Sequence, residues 1–373
     1  MQRLRGMRDE LRRELLGAGV LGLVGLGAGA ALLAALQPQL LILRWLLQSL
    51  ACWALAFGLC WQLRSSNRRQ ADTSLLPTLG AANRLTLLRG WLVAATAGFL
   101  AQPITPALLL APALLYSAAA VADRLDGWLA RRRDGVSLLG AALDTRYDAL
   151  GLVVAPLLAV RAERLHASYL LVSVAYYLFV FGQWWRTRHG KPLQPLLPSP
   201  LRRTLAGMQM GIVAAALWPP LDPALTRVAG FCFMLPLLLG FVVDWCVVSA
   251  RLPAQGALAQ WLYQRLPRLS AAWGLPALRL LLATLLPLML SLPVPAATVP
   301  LAWLALALML TGTAARSGAA LLLGLLCWQP QAAPPAPVTL LLLAVTTAIL
   351  LLGSGRASLW RGDEGWLAGR DGA

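Results

Sequence analysis

The sequence predicts an all-α polytopic membrane protein with about twelve transmembrane helices. Of its 373 residues, 59% are hydrophobic and 13% are charged, whereas soluble globular chains are about 45–50% apolar and about 25% charged. The apolar residues form continuous runs of about twenty, the length that spans a bilayer as a helix. A transmembrane β-barrel would instead alternate apolar and polar residues. The composition excludes a disordered chain, an ordinary cytosolic enzyme and a nucleic-acid-binding module.

Twelve apolar segments follow one another along the chain. They form an N-terminal hairpin (residues 1–70), a central group of six (71–250) and a C-terminal group of four (275–373). A polar, proline-containing linker, residues 251–274, is predicted to lie on the membrane surface as an amphipathic helix. The predicted segments are Gly17–Leu36, Leu41–Trp61, Leu85–Leu100, Ala107–Leu129, Gly140–Val160, Ser168–Trp184, Leu205–Trp218, Val228–Ala250, Leu275–Leu292, Val299–Thr313, Ser317–Trp328 and Val338–Leu352.

Positive charge is distributed unevenly between the loops. The chain has 32 Lys and Arg residues against 15 Asp and Glu residues, a net charge of +17. With the N-terminus inside, the outside loops hold only Arg44, Arg161, Arg164 and Arg227, and the arginine clusters lie inside. This positive-inside bias predicts a multi-pass protein of the cell (inner) membrane with both termini in the cytoplasm. The excess charge is explained by anionic headgroups rather than by nucleic acid.

Four acidic residues lie at the ends of two apolar segments rather than in loops. Asp123 and Asp126 are three residues apart near the end of one predicted helix, and Asp144 and Asp148 are four apart near the start of the next. Each pair therefore shares a helix face. Because a short polar link joins the two helices, we expect them to be antiparallel and to bring both pairs together at the cytoplasmic side.

Carboxylates in this position need cations. An ionised Asp costs about 2.5–3.5 kcal/mol at the centre of a membrane helix, and four of them repel one another. Arg124, Arg131 and Arg146 are candidate partners, and Asp–Arg pairs alone would give the cluster a purely structural role. Divalent metal compensates better, because all-oxygen ligand sets select Mg²⁺, Mn²⁺ or Ca²⁺. Two such ions about 4 Å apart would form a clamp for phosphoryl chemistry.

The cluster belongs to a longer pattern, Asp-x2-Asp-Gly-x2-Ala-Arg-x8-Gly-x3-Asp-x3-Asp, which runs from Asp123 to Asp148. This pattern resembles that of the CDP-alcohol phosphotransferase (CDP-alcohol phosphatidyltransferase) family. The family consists of membrane enzymes with six transmembrane helices that make phospholipids by displacing CMP from a CDP-alcohol. The resemblance covers roughly Ala82 to Ala250 and includes the upstream stretch Asn83-Arg-Leu-Thr86-Leu-Leu-Arg89.

The resemblance implies a role for each matching residue. The four aspartates would bind two Mg²⁺ or Mn²⁺ ions, and Asp148 would also be the general base. Arg131 would hold the diphosphate, and Gly127 would let the nucleotide approach the helix backbone. The other residues expected at the CDP-alcohol are Ser137 beside the CDP group, Asn83 and Thr86 at the nucleotide end, and Ala130, which with Gly140 keeps the helices close.

The implied reaction transfers a phosphatidyl or other substituted phosphate group from a CDP-alcohol, expected to be CDP-diacylglycerol, to a hydroxyl acceptor and releases CMP. The expected partners are these substrates and membrane lipids, a homodimer is left open, and no nucleic acid is expected. Thr145 and Ala149 stand where the family's glycerol-phosphate transferases usually have Pro and Lys, so the acceptor is not identified. The basic loop from Arg186 to Arg203 and Asp244 are further candidates for substrate contact.

Two other functions use acidic residues in a membrane. Intramembrane prenyltransferases hold an isoprenoid diphosphate with Asp clusters and Mg²⁺, but those clusters lie on two well-separated helix pairs. A transporter would have carboxylates scattered along a path through several helices. Here one stretch of 26 residues holds all four aspartates, which fits both alternatives poorly.

The C-terminal segments have no comparable cluster. The stretch Leu308–Ala315 followed by Arg316, and the stretch Gly353–Leu359, resemble weakly the DoxX-type family of four-helix membrane proteins. We therefore predict a weakly DoxX-like C-terminal membrane region.

Overall fold

The computed structural model describes residues 2–36, 40–69, 74–291, 295–328, 335–355 and 358–360. Within these ranges the fold is all-helical, and Arg69 and Ser137 form one isolated β-bridge. The predicted fold class is confirmed. The helices are α1 (Gln2–Leu36), α2 (Ile42–Leu63), α3 (Gly80–Ala97), α4 (Pro106–Leu129), α5 (Leu138–Arg161), α6 (Leu170–Arg188), α7 (Pro200–Leu217), α8 (Pro223–Val248), α9 (Ala257–Leu290), α10 (Thr298–Thr311), α11 (Ala315–Trp328) and α12 (Pro337–Leu352).

The helices differ in their capacity to cross a membrane. Among the described residues, six of them are long and apolar enough, namely α1, α2, α4, α6, α8 and α9. Helices α10, α11 and α12 are apolar but have only 14 to 16 residues. Each predicted segment falls largely within one helix, in the predicted order. Leu292, the predicted end of the ninth segment, and the predicted boundary at residues 70 and 71 lie outside the described residues.

The polar linker is part of a longer helix. Helix α9 has 34 residues and runs through two π-helical turns, Trp261–Arg265 and Ser270–Gly274, into the ninth apolar segment. At 1.5 Å per residue it is about 51 Å long, which exceeds the hydrocarbon thickness of about 30 Å. The helix is therefore long enough for its polar N-terminal part to extend out of the hydrocarbon core. The placement of this part on the membrane surface stays a prediction.

The chain forms two compact units. Unit 1 comprises Met1–Ala162 and Val213–Pro219, and unit 2 comprises Glu163–Ile212 and Pro220–Ala373. All residues of the Asp-x2-Asp-Gly pattern belong to unit 1. The four-part division made from the sequence stays a prediction.

In unit 1, the N-terminal hairpin packs directly on the central helices. Leu15 and Leu26 of α1 are buried, as are Trp45 and Trp53 of α2, and a Cβ at Gly22 of α1 would collide with the Trp53 ring. The hydroxyl of Tyr147 on α5 donates a 2.8 Å hydrogen bond to the carbonyl of Ala56 on α2. A Cβ at Gly90 would lie 2.8 Å from the Tyr147 ring, so glycine at this position lets α5 approach α3.

Unit 2 has its own buried polar links. Gln209 is fully buried, accepts a 2.5 Å hydrogen bond from the Tyr169 hydroxyl and donates to the carbonyl of Phe233 at 3.0 Å. Further along the chain, the backbone N–H of Leu359 donates to the carbonyl of Thr311 at 3.1 Å. This bond joins the two stretches that resemble the DoxX-type family. Arg356 and Ala357 lie outside the described residues, and the resemblance stays a prediction.

The bond between α5 and α2 leads to a first prediction. Tyr147→Phe removes the buried hydroxyl and keeps the ring, so the free energy of unfolding should fall by about 1 kcal/mol. Thermal unfolding of the purified protein in one detergent measures the change. The matched control is Tyr177→Phe, since 47% of Tyr177 is exposed. Equal unfolding midpoints for the two variants would show that the hairpin is not held by this bond.

Candidate active site

Helix α3 presents a row of buried polar side chains on one face. Asn83, Thr86 and Arg89 follow at intervals of three residues and therefore lie along one side of the helix. Only 1% of the Arg89 side chain is exposed. An arginine in such a place needs acceptors nearby, and the next two helices provide them.

Four carboxylates surround the guanidinium of Arg89. Its Nη1 forms ion pairs with Asp123 and, at 3.5 Å, with Asp126, both on α4. Its Nη2 lies 2.8 Å from Asp144 Oδ1 and 3.4 Å from Asp148 Oδ1, both on α5. Nη1 thus pairs with the two carboxylates of α4, and Nη2 pairs with the two carboxylates of α5. The structure brings together all four aspartates that the sequence predicts as metal ligands.

The four carboxylates differ in exposure. Asp126 is the most buried, with 7% of its side chain exposed, and it accepts a 2.8 Å hydrogen bond from the Thr86 hydroxyl. The exposed fractions of Asp123, Asp148 and Asp144 are 30%, 38% and 49%. Asp126 therefore forms the inner wall of the site, and the other three carboxylates are open to incoming molecules.

The donor set fits a divalent metal ion. One carboxylate oxygen from each of Asp123, Asp126 and Asp144 lies within 4.8 Å of the others. Asp148 Oδ1 is buried, and no hydrogen-bond partner for it is found among the described residues. If all four aspartates are ionised, Arg89 leaves an excess of three negative charges. All-oxygen sites of this charge suit Mg²⁺ or Mn²⁺.

A chain of hydrogen bonds extends from α3 to the start of α5. Asn83 Nδ2 donates to Ser137 Oγ at 3.0 Å and to Asn67 Oδ1 at 3.3 Å. Ser137 Oγ accepts from the backbone N–H of Gly140 at 2.9 Å and so caps α5. A Cβ at Gly140 would collide with the Asn83 amide oxygen. Asn83 and Ser137, two residues expected around the CDP group, are thus placed together.

The connection between α4 and α5 begins with a π-helical turn, Ala130–Asp134. The backbone N–H of Ala130 donates to the carbonyls of Asp126 and Gly127. A Cβ at Gly127 would lie 3.3 Å from Arg131 Nη1, so the exposed Arg131 side chain lies beside this glycine. Gly135 follows with φ +69°, a conformation that side chains disfavour. The turn therefore holds Arg131, which the resemblance assigns to the diphosphate, next to Gly127, where it expects the nucleotide to approach the helix backbone.

Two residues of this site were not predicted. Arg89 is part of the Asn83 stretch but had no predicted role, and Arg124, Arg131 and Arg146 were the predicted partners of the carboxylates. The structure places Arg89 at the centre, while Arg124 adds a weaker attraction to Asp123. The sequence did offer a signal for Arg89, because a charged residue inside an apolar helix needs a partner. Asn67, fully buried, precedes α3 in a loop and had no such signal.

The remaining candidates lie in unit 2. Asp244 is buried, and both of its carboxylate oxygens accept from Arg202 Nη1 at 3.0 Å. The Tyr263 hydroxyl donates to the same carboxylate at 2.5 Å. In the basic loop, Lys191 Nζ lies 4.4 Å from the centre of the Trp185 ring. Asp244 thus has the partner that the sequence did not identify, and a substrate role for either feature stays a prediction.

Comparison with known proteins identifies the class to which this site belongs. Residues 79–250, slightly less than half of the chain, match the family model described as CDP-alcohol phosphatidyltransferase. This match confirms, for this region of the chain, the family resemblance that the motif predicted. No curated protein and no solved structure matches the chain.

The central ion pairs lead to a second prediction. Arg89→Gln leaves four neighbouring carboxylates without their shared cation, so in EDTA the free energy of unfolding should fall by up to about 3 kcal/mol. Added Mg²⁺ should restore more stability to this variant than it adds to the unchanged protein. Thermal unfolding with and without Mg²⁺ measures both effects.

The control for Arg89→Gln is Arg161→Gln, which changes an exposed arginine at the far end of α5. This control should behave like the unchanged protein. An Arg89→Gln variant of unchanged stability in EDTA would show that the carboxylates do not depend on this arginine.

Proposed function

We propose that the protein is a membrane phosphotransferase that moves a phosphatidyl or other substituted phosphate group from a CDP-alcohol to a hydroxyl acceptor and releases CMP. The convergence of four carboxylates from two consecutive helices on Arg89 carries this proposal. CDP-diacylglycerol is the proposed donor, because a diacyl lipid can approach a site on apolar helices from within the bilayer. The arginine distribution supports a site and both termini on the cytoplasmic side.

Asp148 is the proposed general base. Its side chain is 38% exposed, and its Oδ1 is 3.4 Å from Arg89 Nη2 without a hydrogen-bond donor among the described residues. Because Oδ1 itself is buried against Arg89, an acceptor hydroxyl could donate to the other oxygen of this carboxylate and transfer its proton there. Asp126 is less suitable, because it is almost fully buried and already accepts from Thr86.

The proposed step is a displacement at phosphorus. As Asp148 takes the proton, the acceptor oxygen forms a bond to the phosphorus that carries the alcohol group. The bond from that phosphorus to the bridging oxygen of the diphosphate breaks, and its electron pair leaves with CMP. Arg131, beside Gly127, would bind the diphosphate, and its charge would stabilise the leaving phosphate.

Asp123, Asp126, Asp144 and Asp148 would hold the divalent metal. When bound, Mg²⁺ or Mn²⁺ supplies neutralisation of the diphosphate charge and lowers the pKa of a nearby hydroxyl. Arg89 would keep the four carboxylates in place and limit their repulsion. Asn83, Thr86, Ser137 and Ala130 would shape the nucleotide end by fixing the relative positions of α3, α4 and α5.

The role of Asp148 can be tested by substitution. Asp148→Asn keeps the size of the side chain but removes the base, so transfer should fall at least 100-fold while the amount of protein in the membrane stays normal. Release of CMP from labelled CDP-diacylglycerol measures the rate. Asp9→Asn, an exposed change on α1, is the matched control. Full activity of Asp148→Asn would exclude this residue as the base.

The metal requirement and the substrates can be tested in one assay. Purified protein is given labelled CDP-diacylglycerol and, separately, glycerol phosphate, serine, inositol phosphate and a second phospholipid as acceptors. One acceptor should yield a labelled lipid and CMP with Mg²⁺ or Mn²⁺, and EDTA should abolish both products. Undiminished transfer in excess EDTA would contradict the metal site, and turnover of an isoprenoid diphosphate instead would contradict the proposed donor.

A further inference from the structure

Unit 1 contains a groove between α1 and α3 that lies apart from the carboxylates. Its volume is about 560 Å³. Glu14, Gly17 and Leu21 of α1 line one side, and Arg84, Leu88 and Trp91 of α3 line the other. We call it the α1–α3 groove. Leu21 is 73% exposed and Leu88 is 47% exposed, so the groove opens along the surface of unit 1.

One end of the α1–α3 groove is polar and positively charged. Glu14 accepts from Arg84 Nε at 2.7 Å and from the backbone N–H of Leu79 at 2.9 Å. The Arg84 side chain is nevertheless 63% exposed. The preceding turns of α1 carry exposed arginines at positions 8, 12 and 13 together with the exposed acids Asp9 and Glu10, so that with Glu14 and Arg84 the net charge of this end is +1. Among the residues that line the groove, Arg84 is therefore the group that could hold an anion, since only its Nε is bonded to Glu14 and the rest of its guanidinium is available.

The other end is apolar and is closed by an indole. Trp91 Nε1 donates to the carbonyl of Gly22 at 2.9 Å, and a Cβ at Gly25 would lie 3.1 Å from the Trp91 ring. From Glu14 to Gly25, eleven residues of helix span about 16 Å. One leaflet of the hydrocarbon core is about 15 Å thick. The groove is thus charged at one end, apolar along the rest, and about as long as one leaflet is thick.

The α1–α3 groove and the carboxylate site use different faces of α3. Arg84, Leu88 and Trp91 repeat at intervals of four and three residues along one face, and Asn83, Thr86 and Arg89 occupy another. A molecule in the groove would therefore be separated from the carboxylates by the helix itself. The groove is not the place of the reacting donor.

We propose that the α1–α3 groove binds one anionic phospholipid of the surrounding membrane, with its phosphate at Arg84 and an acyl chain between α1 and α3. A helix of a second protein fits less well. A helix is about 10 Å wide, whereas a single acyl chain is much thinner and can follow a narrow groove lined by glycine and leucine. In addition, Gly22 and Gly25 already pack against Trp53 and Trp91 of this chain, so they do not form a free helix-packing face.

Lipid binding to the purified full-length protein tests the proposal. Native mass spectrometry in detergent compares phosphatidylglycerol with phosphatidylcholine. The unchanged protein should bind one phosphatidylglycerol at least fivefold more tightly than phosphatidylcholine. Gly17→Leu fills the groove and should weaken phosphatidylglycerol binding about tenfold. Its matched control is Gly27→Leu, because both glycines are exposed on α1 and a Cβ at either meets no atom within 4 Å. Gly27→Leu should leave binding unchanged.

Charge variants separate the headgroup from the acyl chain. Arg84→Gln should remove the preference for phosphatidylglycerol, and Glu14→Gln, which removes the negative charge beside Arg84, should strengthen it. Equal binding of the two lipids by the unchanged protein, or unchanged binding by Gly17→Leu, would overturn the proposal. A change in oligomeric state without a change in lipid binding would assign the groove to a second copy of the chain. Because no step measures phosphate transfer, these outcomes are independent of the proposed enzymatic function.

Discussion

The ion pairs between Arg89 and four carboxylates are the interaction on which the rest of the site depends. A guanidinium is planar and presents its terminal nitrogens in a fixed fork, and here one nitrogen serves α4 and the other serves α5. A lysine has a single charged nitrogen and could not divide its contacts in this way. Removing one member of such a buried group leaves the others uncompensated. Arg89 therefore fixes the distance between two helices as well as the charge of the site.

The helices can approach Arg89 because small residues stand where they meet. Gly90 leaves room for the Tyr147 ring, and Gly140 leaves room for the Asn83 amide. The Asn83–Ser137 bonds then set where α5 begins, and the start of α5 sets the height of Asp144 and Asp148 relative to α4. Polar bonds and close packing thus act together, since neither alone would align two aspartate pairs to within a few ångströms.

Much of this architecture could be predicted from the sequence, because apolar runs and carboxylate spacing are local properties. The i, i+3 and i, i+4 intervals of the aspartates were sufficient to predict that each pair shares a face. The partner of the carboxylates was not predictable in the same way, since Arg89 is 34 residues from Asp123 and three arginines lay closer in the chain. Asn67 was missed for a related reason: its hydrogen bond to Asn83 depends on how a loop folds back over α3.

Helix α3 connects these features, because its face toward the carboxylates is polar and its other face, after Arg84 at its start, is apolar at Leu88 and Trp91. A single helix with such faces cannot stand alone against lipid without burying its polar side and covering part of its apolar side. Helices α4 and α5 bury the polar side, and the N-terminal hairpin covers part of the other through Trp91 and Gly22. The hairpin also reaches α5 through Ala56 and Tyr147. It therefore supports the helices that carry the carboxylates while providing no carboxylate itself.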